Sequence, residues 1–232
     1  MGRKFLFISW VVFSLSACLN LTMQNTFADL APGQWRAVFS LENEKVPVQF
    51  SVENIDEATH FTFLNGGLDT QSDQVDFWGD TLTIPFNQGT YLKVIYEVDK
   101  MEGYLYDPNN SFYPISFLAQ QGQLNRFPDV RKDPVMNMTG NWNASLGTKD
   151  TTISTQLILE AEGNNVVGEV FWNADTLSLC GVIQDDILVL SGFNGKQVCY
   201  LNGQVLEGAI SKALLIVNDE KFTLTAVKDI NE

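Results

Sequence analysis

Apolar and polar residues alternate with a period of two through most of this chain. Val46, Val48, Phe50 and Val52 flank Gln49 and Ser51, and Leu82, Ile84 and Phe86 alternate with Thr81 and Thr83. The segments holding Ile153, Thr155, Leu157 and Leu159, and then Phe222, Leu224 and Ala226, repeat the pattern. A period of two gives strands with one buried face and one wet face. Asn65-Gly66, Asn194-Gly195 and Asn202-Gly203 offer the positive-φ residues of tight hairpins, so successive strands are expected to pair antiparallel as a meander. No long helical period competes, and 17 glycines with 12% aromatic residues fit many short strands joined by turns.

The pattern occurs twice. Gly33-Gln34-Trp35 matches Gly140-Asn141-Trp142, Asp80-Thr81-Leu82 matches Asp186-Ile187-Leu188, Met101-Glu102-Gly103 matches Leu206-Glu207-Gly208, and Phe117-Leu118-Ala119 matches Leu224-Thr225-Ala226. Four matches in one order, at a spacing of about 105 to 107 residues, imply two copies of one domain. Charges between Pro128 and Pro134 break the alternation and mark a linker. The expected organisation is domain one at 31–127, a linker at 128–137 and domain two at 138–229.

Each copy has room for roughly eight strands, and an eight-stranded meander removes its exposed edges by closing into a barrel. The expected fold is therefore all-β, with two tandem antiparallel barrels of the kind found in lipocalins and streptavidin. Trp35 and Trp142, behind a glycine at the head of each copy, are expected to be structural plugs at one barrel end.

Ahead of the first strand, Gly2-Arg3-Lys4 precedes an apolar run from Phe5 to Leu15, and Leu15-Ser16-Ala17-Cys18 follows. The run has the length of a signal-peptide core rather than of a membrane span. Two small residues before a cysteine form a bacterial lipobox, so residues 1–17 read as a lipoprotein signal peptide, Cys18 as the lipidated first residue and 18–30 as a tether. Thr26-Phe27-Ala28 is a weaker, ordinary cleavage site. Leu19 and Asn20 carry no acidic retention signal, which points to the outer membrane facing the periplasm.

Composition narrows the partners. Without Arg3 and Lys4 the chain keeps 12 of its 14 basic residues against 28 acidic ones, an excess that repels nucleic acid and anionic lipid and keeps a tethered domain soluble. Besides Cys18 there are Cys180 and Cys199. An oxidising compartment favours a disulfide, but the meander puts one strand between them, roughly 9 to 10 Å of separation. Bridged Cα atoms lie within about 7 Å, which favours two unpaired thiols.

His60 is the single histidine and is expected at the surface. Asp69, Asp73, Asp76 and Asp80 lack the glycine and terminal glutamate of a calcium loop and read as solvated strand ends. No phosphate loop, nucleophile elbow or Cys-x-x-Cys pair occurs, so no catalytic residue, metal site or cofactor is assigned. Aromatic residues are the remaining resource. Tyr104, Tyr106 and Tyr113 surround Asp107-Pro108-Asn109-Asn110-Ser111, a candidate binding rim for a peptide or sugar.

Gly33-x-Trp35, Pro47-x-x-Phe50, Gly79-Asp80-x-Leu82, Pro114-x-x-Phe117, Arg126-Phe127-Pro128, Gly140-x-Trp142 and Gly163-Asn164-x-Val166-x-Gly168 resemble the N-terminal β region of thioredoxin-like (TlpA-like) disulfide reductase lipoproteins of the Bacteroidetes type. In that family a thioredoxin domain follows and carries the redox cysteines. No residue of this sequence matches those cysteines, so the resemblance implies the β architecture and not the activity. The expected function is a non-catalytic cell-envelope lipoprotein, held to the membrane by its lipid and binding or scaffolding a protein or small ligand. The alternative is an accessory partner of a separately encoded thioredoxin-like oxidoreductase.

Overall fold

A computed structural model of the chain describes residues 30–229 except 56–57, 110–111, 123–124, 129–131 and 173–174. The leader, Cys18 and nearly all of the tether lie outside the described residues. Seventeen strands account for most of the rest. In the first copy these are β1 (Gly33–Ser40), β2 (Lys45–Ile55), β3 (Ala58–Leu64), β4 (Thr70–Gln71), β5 (Asp76–Trp78), β6 (Thr81–Pro85), β7 (Tyr91–Tyr96), β8 (Lys100–Tyr106) and β9 (Ile115–Gln121). The second has β10 (Gly140–Gly147), β11 (Thr152–Glu162), β12 (Asn165–Trp172), β13 (Asp175–Gln184), β14 (Ile187–Phe193), β15 (Val198–Leu206), β16 (Ala209–Val217) and β17 (Glu220–Lys228).

The fold is all-β and every ladder is antiparallel, as alternation and hairpin spacing require. The second copy is a closed eight-stranded meander in which β10 pairs with both β11 and β17. The first is a curled nine-stranded sheet, ordered β4-β3-β2-β1-β9-β8-β7-β6-β5. The extra strand arises from a break. One continuous strand, β13, bridges β12 and β14, whereas in the first copy Thr70–Gln71 pairs with β3 and Asp76–Trp78 pairs with β6. The chain crosses this seam at two adjacent residues: the Ser72 amide donates to the Phe61 carbonyl at 2.9 Å and the Asp73 amide to the Pro85 carbonyl at 2.9 Å.

Side chains fill both interiors. Trp35, Phe39, Phe50, Phe61, Phe63 and Phe117 are fully buried in the first copy, with Phe50 stacked against Phe61 and Phe63 at 5.7 and 5.0 Å. Trp142, Leu157, Leu159, Leu188, Leu190, Leu201 and Leu224 fill the second. The two indoles occupy matching places. Trp35 Nε1 donates to the Ala31 carbonyl and Trp142 Nε1 to the Met138 carbonyl, each at 3.0 Å and four residues back. At each site the buried ring satisfies its polar edge within the segment that enters the barrel.

One hairpin expectation needs correction. Asn65-Gly66 and Asn194-Gly195 lie in turns, but Asn202-Gly203 sits inside β15, where the ladder to β16 shifts register between Asn202 and Gln204. A Cβ on Gly203 would stand 2.6 Å from the Ala213 Cβ, so this glycine serves close strand packing rather than a turn. The reversal comes instead at Glu207-Gly208, both with positive φ.

The copies are not separate beads. A single apolar cluster contains the interior of the first copy together with Phe193, Val198, Tyr200 and Ile216 from the outer face of β14–β16. Phe193 is fully buried with its ring 5.0 Å from Phe39, 4.8 Å from Phe63 and 5.0 Å from Phe86. The second barrel thus plugs the first through Phe193, seated among Phe39, Phe63 and Phe86.

Candidate functional site

Polar groups secure the plug. The Asn65 side chain pairs with the backbone of Phe193, its Nδ2 donating to the carbonyl at 2.9 Å and its Oδ1 accepting from the amide at 3.1 Å. Ser191 Oγ donates to the Pro47 carbonyl, and Thr90 Oγ1 to that of Gly195. Arg126, at the end of the first copy, is buried between the copies. Its Nη1 donates to the Ser191 carbonyl at 2.7 Å and its Nη2 to the Leu64 carbonyl, while burial pushes its pKa down. This guanidinium ties β3 of one barrel to β14 of the other.

Beside it Cys180 lines a small cleft with Gln49, Phe127 and Asn165. Cys180 on β13 pairs with Ser191 and Cys199 on β15 pairs with Gly192, so β14 separates the two sulfurs and both thiols are free. Burial raises both thiol pKa values; the positive charge of Arg126 partly offsets this at Cys180, whereas Cys199 lies in the second core and shifts far higher. A thiol is reactive as its thiolate. Native protein treated with iodoacetamide without reductant is therefore expected to modify Cys180 slowly and Cys199 only after unfolding. A peptide linking the two cysteines in non-reduced digests would contradict the strand order.

A groove of about 800 Å³ lies on the outer face of the first barrel, across β1, β9, β8, β7 and β6. Alternation builds it: Met101 and Leu105 point inward from β8 and are buried, so Glu102 and Tyr104 point outward. Arg36 and Val38 arrive from β1, Lys93 and Ile95 from β7, and Leu118 from β9. Ile95, Tyr104 and Leu118 are all exposed, which gives the floor an apolar stripe. Arg36, Lys93 and Lys100 face Glu97 and Glu102, a near-balanced set on an otherwise strongly acidic chain. Arg36 Nε donates to the Arg126 carbonyl at 3.2 Å, which joins the groove wall to the guanidinium clamp.

Of the three tyrosines expected at a rim, Tyr104 lines this groove at 48% exposure, and Tyr106 lies beside it with its ring 6.2 Å away. Tyr106 stacks in turn on Tyr91 at 5.3 Å, its cross-strand partner on β7. Tyr113 is 86% exposed on the segment between β8 and β9 and does not line the groove. His60 is half-buried on β3 opposite Glu53. Among the described residues no three His, Cys, Asp or Glu side chains come together in a way that could hold a metal ion.

Sequence reasoning missed Arg36, Val38 and Leu118 because their strands meet the tyrosines only through long-range pairing of β1 with β9 and β9 with β8. Arg126 appeared there only within the Arg126-Phe127-Pro128 motif, because its partners Ser191 and Leu64 are distant in the chain.

No protein-family model matches the sequence. Nor does any curated protein. Among solved structures, isotype 1 transferrin binding protein B from serogroup B Neisseria meningitidis aligns over 86% of this chain and 77% of its own, at 8% identity and a TM-score of 0.26. Kievitone hydratase from Nectria haematococca aligns over 88% of this chain and 91% of its own, at 10% identity and a TM-score of 0.21. Similarity at this level leaves the site to be read from its own residues.

Proposed function

We propose that the chain is a non-catalytic binding or scaffolding module of the bacterial cell envelope, anchored through Cys18 and recognising its partner with the outside of the first barrel. The observation that carries this reading is the pairing of filled interiors with an open outer groove. Fully buried aromatic rings occupy the space that a small-ligand barrel keeps free, whereas Ile95, Tyr104 and Leu118 stand exposed on the outer face. A stripe of that kind rimmed by mixed charges has the make-up of a protein contact surface. The lipobox supplies the tether, and the resemblance to thioredoxin-like lipoproteins makes a thioredoxin-like reductase the first foreign partner to test.

Two measurements test the proposal. Labelled fatty acid is expected on the wild-type chain and absent from Cys18→Ala; incorporation by that variant would remove the anchor. A photoreactive amino acid at position 104 is expected to trap a defined adduct in intact cells, and one at exposed Val227 on β17 is not. Equal trapping from both positions, or none from 104, would remove the groove as the contact surface.

A further inference from the structure

The second barrel also carries a groove on its outer face, and the chain itself occupies part of it. Ile187, Tyr200, Asn202, Gln204 and Leu214 line it together with Glu44, which comes from the tip of the β1–β2 hairpin of the first copy. Glu42 in the same tip pairs with Lys221 at 2.8 Å, and the charge on Glu44 helps raise the Tyr200 pKa after burial.

The pairing registers show that this groove matches the β6–β8 part of the open one. Lys93 is the cross-strand partner of both Thr83 and Tyr104, as Asn202 is of Val189 and Leu214. Tyr91 pairs with Tyr106 as Tyr200 pairs with Ile216. The Tyr91–Tyr106 stack therefore stands where Tyr200 and Ile216 lie buried beneath the first barrel, and Tyr104 stands where Leu214 does.

The other half of the contact is duplicated as well. Leu41 donates to the Glu44 carbonyl across the seated tip at 3.0 Å, and Thr148 donates to the Thr151 carbonyl at 2.8 Å, 107 residues later. Val46 beside the first tip is fully buried in the apolar cluster that joins the two copies. Its counterpart Ile153, at the same spacing, is 44% exposed on the free end of the second barrel, with Phe171 close by at 40%. The chain thus has a vacant seat on its first barrel and a matching unseated tip on its second, and residues 148–151 do not line that seat.

We infer that the occupant of the open groove is a second copy of this chain, whose β10–β11 tip and barrel end dock on β6–β8 as the β1–β2 tip docks on β14–β16 within one molecule. This rests on the groove being the contact surface and names its partner. Because the two surfaces differ, the contact is head-to-tail and each added copy presents a fresh seat.

Sedimentation velocity of the mature, lipidated chain in detergent tests it with Tyr104→Glu, which blocks the seat, and Ile153→Glu, which blocks the tip. Both positions are exposed, and melting by circular dichroism checks that each variant folds. The wild type is expected to form a concentration-dependent series. Each substitution is expected to weaken self-association by about tenfold or more. An equimolar mixture of the two variants regains one intact contact and stops at a dimer. A wild type that stays monomeric throughout, a variant that still forms the series, or a mixture with no dimer overturns the inference. If the wild type is monomeric while position 104 traps a different protein in cells, only the self-contact fails; no adduct at all removes the groove reading with it.

Discussion

Phe193→Ala is expected to lower stability by about 3 to 5 kcal/mol, measured by urea unfolding. The hole it opens lies in the first barrel although the residue belongs to the second. Phe193 contributes no surface to solvent and holds Phe39, Phe63 and Phe86 within ring-contact distance. Its loss removes a large buried side chain and three aromatic contacts at once, and the rings around it belong to strands fixed by their own ladders, so they can collapse only partly. Amide exchange is expected to accelerate in β3 and β6 more than in β10 and β17. Leu190→Ala, on the same strand but facing the second interior, supplies the contrast, with faster exchange centred on β13 and β15. Equal effects of the two substitutions on both barrels would show that Phe193 is not the plug.

Arg126→Ala is the second large effect. Among the described residues no carboxylate bonds to the buried guanidinium, so it bears a desolvation cost and returns hydrogen bonds to two main-chain carbonyls. Truncation leaves the Leu64 and Ser191 carbonyls short of a donor inside the interface, at about 1 to 3 kcal/mol for each unsatisfied group. A destabilisation of about 2 to 4 kcal/mol is expected. Because the clamp also holds the linker, trypsin is expected to cut at Lys132 faster in the variant than in the wild type. A variant with unchanged melting and unchanged cleavage would place the weight of the interface on Phe193 and Asn65 instead.

Much of the architecture was legible because it is local. Alternation at Val46–Val52 and Leu82–Phe86 marked strands whose inward residues are buried, and the repeated Gly-x-Trp marked the head of each barrel. The fusion of the copies was written less plainly. Val198-Cys199-Tyr200-Leu201 is buried at four successive positions, and Leu215-Ile216-Val217 at three. Loss of alternation is the signature of a strand covered on both faces. A run of apolar residues does not say what covers it, and here the cover is another copy of the same fold. The break between β4 and β5 had a fainter signal, five polar or acidic residues among Gln71, Ser72, Asp73, Gln74, Val75 and Asp76, which resembled an ordinary loop. In the groove the tyrosines were visible as a cluster. Their neighbours on β1 and β9 were not, since only long-range pairing brings them together.

The seam in the first barrel sets an order of events during folding. The second barrel is hydrogen-bonded all the way round by its own residues, so it can complete itself. The first has a short, interrupted strand at its closure and an end sealed by a ring that lies about 130 residues downstream of Phe63. Closing so distant a contact is slow, because chain entropy opposes it until the rest of the fold repays it. As the chain is made N-terminus first, the earlier half must wait for the later one. Until Phe193 arrives, its aromatic end stays open to water and to other chains.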